Sequence, residues 1–123
     1  MGLPQIHRLK NWRDFRIVYQ QGISRHSKHL ILRALHNKKD DQQSPIIPSR
    51  LGVSIGKKVS KKAVVRNRIK RQIHGAFLQL RPHVLDDWQI VIVVKPIAVE
   101  CKYAHFLREL EELLKKTKII NGH

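Results

Sequence analysis

Residues 50–80, RLGVSIGKKVSKKAVVRNRIKRQIHGAFLQL, change their hydrophobic period part-way along. Residues 50–56 combine β-branched and small side chains and close on glycine, which predicts a short strand. Ser60 is a candidate N-cap for a helix beginning beyond it. From there to Leu80, the side chains Val65, Ile69, Ile73, Ala76, Phe77 and Leu80 recur at three- and four-residue intervals, as one buried helical stripe requires. Pro82 ends the helix. Residues 88–95, WQIVIVVK, then run almost continuously apolar, the pattern of a strand covered on both faces, until Pro96 breaks it. Strand, helix and strand make a βαβ unit, whose usual hand is right.

Outward from that unit the signals are local. Trp12, Phe15, Ile17, Val18 and Tyr19 stand among basic residues with Gly22 after them, predicting a helix near 11–21. Residues 24–37 read as extended, most clearly 29–36, where leucines repeat. Residues 38–49, KKDDQQSPIIPS, form a connecting loop. Phe106, Leu107, Leu110, Leu113 and Leu114 predict an amphipathic helix over 102–116, and residues 118–123 are expected to fray. The sum is an α+β fold, a small two-layer sandwich with helices packed on one side of a mixed sheet. One domain spans 1–123, since separate cores need more chain.

Charge narrows the function. Lys and Arg total 25 against nine acids, a formal +16. Such a field repels itself unless an anion is bound, so the expected partner is a polyanion. A membrane partner is not expected: the longest apolar run, 90–94, is far short of the ~20 residues a span needs. Residues 1–10 lack the apolar core of a signal peptide. The single cysteine, Cys101, cannot form an internal disulfide, which fits a reducing cytoplasm, and it reads as a small buried filler. His26, His29 and His36 form a loose group without cysteine or carboxylate among them, so no metal site is expected there.

The chemistry concentrates in residues 57–71, KKVSKKAVVRNRIKR. At about 100° per residue, Asn67, Arg68, Arg71 and His74 project opposite the apolar stripe, with Lys70 flanking and Arg66 near the apolar edge. Lys57, Lys58, Lys61 and Lys62 lie on the approach and first turn, where a helix N-terminus already favours phosphate. The bland alternative is a solvated basic face. It fails on pairing, because a stable surface helix mixes signs and no acid occurs between Asp41 and Asp86. Phe15 and Tyr19, one turn apart, share a face and fit either a core or a base-stacking role.

In this order the motifs resemble the ribonuclease P protein family. They are Arg8-Leu9-Lys10 with Asp14-Phe15, Tyr19 and Gly22; Arg50-x-Gly52-x-Ser54; Lys57-Lys58; Arg66-Asn67-Arg68 with Ile69-Lys70-Arg71; and Asp87-Trp88 through Lys95-Pro96. The resemblance implies an α-β-β-β-α-β-α order with a left-handed crossover, like the second domain of a small-subunit ribosomal protein, and splits 23–37 into two strands. It implies that Lys57, Lys58, Lys61, Lys62, Arg66, Asn67, Arg68, Lys70 and Arg71 contact a catalytic RNA. Phe15, Tyr19, Arg33 and Ser54 would line a cleft, between the first helix and the sheet, for the 5′ leader of precursor tRNA. Arg33 stands where many members carry an aromatic, and the 38–49 loop is longer than in many. The implied partners are that RNA and precursor tRNA, with a protein monomer in a 1:1 complex in the cytoplasm. Hydrolysis would belong to the RNA and its Mg2+, with no catalytic residue in the protein. Three other readings remain: a ribosomal RNA-binding protein, a protein-only nuclease and a DNA-binding module. The ordered motifs, the scattered acids and the strand ahead of the basic helix argue against them in turn.

Overall fold

A computed structural model of the chain describes residues 3–37 and 45–120. Seven main elements succeed one another: helix α1 (Trp12–Gln21), strands β1 (Ile23–His26), β2 (Leu30–His36) and β3 (Arg50–Ser54), helix α2 (Ala63–Leu80), strand β4 (Trp88–Val94) and helix α3 (Tyr103–Lys116). This is the order the resemblance implies. The extended 24–37 region resolves into two strands.

The Asn11 side chain caps α1 by accepting from the Arg13 N–H at 2.9 Å. Gly22 closes α1 for lack of room, not for a left-handed backbone. A Cβ there would lie 2.5 Å from the Val18 carbonyl oxygen and 2.6 Å from that of Ala34. The expected N-cap at Ser60 is corrected. Helix α2 starts at Ala63 behind Lys62, and the Ser60 hydroxyl accepts from the Lys62 N–H at 3.2 Å, ahead of the helix proper. Buried Val59 sits in the turn just ahead of Ser60.

The sheet order is β1-β2-β4-β3, with β4 antiparallel to β2 and parallel to β3. Alternation sorts its side chains onto two faces. Leu30, Leu32, Leu51, Val53, Ile90 and Ile92 join the main core with Ile69, Ile73 and Phe77 of α2 and Phe106, Leu110 and Leu113 of α3. Val91 and the half-buried Val93 and Leu35 point the other way, where Leu9, Phe15 and Val18 cover them. The expectation of helices on one side therefore holds for α2 and α3 only. Because β4 is apolar on both faces, α1 has to cover the second.

The tail expectation is also corrected. Ile119 and Ile120 are buried, Ile120 bridges to Val84, and the Leu85 N–H donates to the Ile119 carbonyl at 2.7 Å. Two apolar residues at the chain's end find an open edge of the core and dock there. Residues 38–44 of the long loop and 121–123 of the tail lie outside the described residues. At the loop's far end, the Ser49 hydroxyl donates to the Leu85 carbonyl at 2.5 Å and accepts from the Trp88 N–H at 2.9 Å. Among the described residues no helix is long and apolar enough to cross a membrane.

Candidate nucleic-acid interface

Helix α2 buries Ile69, Ile73, Ala76 and Phe77 and leaves Asn67, Arg68, Lys70 and Arg71 exposed, as the wheel predicts. Lys57, Lys58, Lys61 and Lys62 are exposed on the approach and at the helix start. Arg66 is half-buried, and its Nη1 donates to the Ser60 carbonyl at 2.8 Å. Arg68 Nη2 donates to the Val99 carbonyl at 3.0 Å. A guanidinium has five N–H donors, so one such bond orients each fork and leaves donors for a phosphate.

His74 departs from expectation. It is 6% exposed, at the seam between core and cationic face. Burial, then the charges of Lys70 and Arg8, lowers its pKa to about 4. The ring is therefore neutral at neutral pH and can exchange one hydrogen bond of each kind. Arg8, Leu9 and Lys10 line the same cavity as His74, a tertiary approach without a periodic signal.

Of these residues, Asn67, Lys70, Arg71 and His74 meet at a cavity of about 510 Å³, and Lys57, Lys58, Lys61, Lys62, Arg66 and Arg68 lie outside its lining. Arg8 and Lys10 line it from the N-terminal segment, Phe15 from α1, Gly52 from β3, and Asn67, Lys70, Arg71 and His74 from α2. Among the described residues, no carboxylate lines it. The resemblance implied two surfaces; Phe15 of one lines the same hollow as Asn67, Lys70 and Arg71 of the other. Phe15 reaches it across Gly52, where a Cβ would lie 2.3 Å from the ring's Cζ. That contact explains the glycine in a strand interior. The inner side of the ring belongs to the small core with Leu9, Val18 and Val91, so core and cavity roles coexist.

Tyr19, Arg33 and Ser54 lie outside that cavity. Arg33 sets its guanidinium 5.0 Å from the Tyr19 ring centroid and donates from Nη1 to the Tyr19 carbonyl at 3.0 Å. The strand position without an aromatic thus holds a cation on the neighbouring aromatic. Register places Arg33 beside Val91 and Ser54 beside Val93, on the sheet face that α1 crosses. All four leader-contact candidates therefore belong to one side of the sheet. Arg8, Lys10 and Gly52 also line the cavity and were not singled out as contacts from sequence; all three were visible only as part of the motif.

The loose histidine group does not assemble. His26 is exposed and His36 stands edge-on to Trp88 at 4.9 Å, whereas His29 Nδ1 lies 2.5 Å from Glu109 Oε2.

The family model described as Ribonuclease P matches residues 3–118. The chain is 53% identical over 123 residues to the ribonuclease P protein component of Microcystis aeruginosa, covering 100% of both chains. It is 51% identical to that of Rippkaea orientalis, covering 100% of this chain and 95% of the relative. A solved ribonuclease P protein from Staphylococcus aureus superposes with a TM-score of 0.79 at 30% identity, over 94% of this chain and 98% of the other. One from Thermotoga maritima, solved with a fluorophenyl thiourea, gives 0.74 at 25% identity, over 88% and 97%.

Proposed function

Because this chain belongs to the ribonuclease P protein family, we propose that its acid-free cationic hollow serves the RNA-based removal of 5′ leaders from precursor tRNA. The protein is a subunit of a ribonucleoprotein endoribonuclease and works with an RNA subunit. The single observation that carries the site assignment is the cavity joining Phe15 to Asn67, Lys70 and Arg71. In this reading Lys57, Lys58, Lys61, Lys62, Arg66, Asn67, Arg68, Lys70 and Arg71 hold phosphates and 2′-hydroxyls of the catalytic RNA. Phe15, Tyr19, Arg33 and Ser54 guide the unpaired leader along the α1 side of the sheet. Aromatic faces stack on bases without reading sequence, which suits leaders of varied sequence.

The hydrolytic metal, Mg2+, is held mainly by the RNA. Protein-only cleavage needs carboxylates around metal at the scissile phosphate, and among the described residues none lines the cavity. The protein's part is to screen repulsion between RNA strands and retain substrate, a contribution that weakens with added salt. It acts as one domain, a monomer bound 1:1 to its RNA, in the cytoplasm.

Reconstitution tests this. The purified protein, freed of RNA by nuclease treatment, should cleave nothing. Mixed with its catalytic RNA at low Mg2+, it should stimulate 5′ cleavage of precursor tRNA. Robust cleavage by the RNA-free protein overturns the reading.

A further inference from the structure

The β1–β2 turn, the segment after β4 and helix α3 surround a second cavity, of about 630 Å³, which shares no lining residue with the first. Three donors of different chemistry meet there. A ring nitrogen of His29, Cys101 Sγ and a Glu109 carboxylate oxygen all lie within 4.8 Å of one another. Cys101 and Glu109 are buried, and His29 is half-buried. Glu109 is fixed from the turn: its Oε1 accepts from the Ser27 hydroxyl at 2.6 Å and from the His29 N–H at 2.9 Å. The Cys101 N–H donates to the Ala98 carbonyl at 3.0 Å, closing the short turn that presents the thiol.

We propose that His29, Cys101 and Glu109 form a binding site for a borderline divalent transition-metal ion, with Zn2+ as its best fit. Imidazole nitrogen, thiolate and carboxylate are zinc's donor set, whereas Mg2+ takes oxygen ligands, so this ion is distinct from the one that serves RNA cleavage. Clamping of the turn accounts for Glu109 and His29 alone; the thiol beside them adds the soft donor that a clamp does not need. Ligands of a tetrahedral ion stand about 3.5 Å apart, so the His29–Glu109 contact opens by about 1 Å and the thiol draws in. The His105 ring also lines the cavity. Its Nδ1 accepts from the Lys102 N–H, leaving Nε2 or a water for the fourth position.

On binding, Cys101 gives its thiol proton to solvent, His29 binds as neutral imidazole and Glu109 as carboxylate. Two negative ligands then balance the ion. Burial, then the charge of Glu109, raises the Cys101 pKa, so ion and proton compete for the sulfur. Lys28, Arg108 and Lys116 around the cavity oppose a cation, while Glu100 and Glu112 favour one.

The chain has one cysteine, so any cobalt–thiolate charge-transfer band in the near ultraviolet reports Cys101 alone. The reduced, full-length protein is titrated with Co2+ and then with Zn2+ or Mg2+, without RNA. The band should saturate at one Co2+ per chain, bleach with one equivalent of Zn2+ and ignore Mg2+. Glu109→Gln and His29→Gln should each weaken binding at least tenfold, with folding checked by circular dichroism. No band, a band that never saturates, or an affinity unchanged from the parent in both variants overturns the site. Should the variants fail to fold, the wild-type titration decides, and one equivalent of Zn2+ should also raise its melting temperature.

Discussion

His74 sits where the core meets the cationic hollow, and its neutral form belongs to the folded state. Its pKa falls from 6.5 to about 4 through burial, Lys70 and Arg8. Between those values the unfolded chain binds more protons, so stability rises with pH across that window. The contribution is fully present above about 6.5 and is lost as pH falls toward about 4. At ~1.4 kcal/mol per unit, it amounts to at most ~3.5 kcal/mol. His7, lowered by burial and Arg81, acts in the same direction. Denaturant unfolding at about pH 7 and about pH 5 should therefore show a smaller pH difference for His74→Gln than for the parent. Equal differences would mean that His74 already titrates normally. Phe15 offers a second check, through Gly52. Gly52→Ala should cost about 1–3 kcal/mol in the parent and far less beside Phe15→Ala, because the ring it meets is gone. Phe15→Ala should weaken precursor tRNA binding by about 1–3 kcal/mol while leaving mature tRNA, which lacks a leader, nearly unchanged. Equal losses for both RNAs would confine the ring to the core.

Helix α2 serves the core and the cationic face with different residues, so the two roles can be separated. Arg68 and Arg71 are exposed, and the bond from Arg68 to the Val99 carbonyl is worth no more than about 1 kcal/mol. Replacing both with alanine should leave the melting temperature almost unmoved and flatten the salt dependence of RNA affinity by about one unit per lost phosphate contact. Arg66→Ala should lower the melting temperature more than Arg68→Ala, since its half-buried guanidinium ties the helix to the Ser60 carbonyl. A large stability loss with unchanged RNA affinity in the double variant would make the outer face structural. The acid-free run from 42 to 85 gives this face no acid on its own helix to pair with.

At the scale of the molecule, layers on both sides of β4 decide where the RNA-binding groups can stand. Helices α2 and α3 fill one side; α1 crosses the other and brings Phe15 over Gly52 toward α2. Ile119 and Ile120 are part of this assembly. Removing residues 118–123 should lower the melting temperature clearly, because Ile119 and Ile120 are buried and full burial of each is worth about 1.5–3 kcal/mol. A truncated protein that melts with the parent would return these residues to a loose tail.

Periodicity and charge alone determined much of this protein. The 3.6-residue stripe of α2, the apolar run of β4 and the prolines at 82 and 96 locate the βαβ unit, because they are local consequences of helix and strand geometry. The exposed cations on α2 are placed by the same stripe, on the face opposite it. The second strand within 23–37 escaped the residue pattern, since four residues with little burial carry almost no alternation, and only the family resemblance supplied it. Tertiary structure alone decided which sheet face α1 covers, that Ile119 and Ile120 dock, that His74 is buried, and that His29 meets Cys101 and Glu109 across some 80 residues. Each depends on segments distant in sequence coming together, and hydrophobic burial sets such meetings without leaving a periodic mark on either segment.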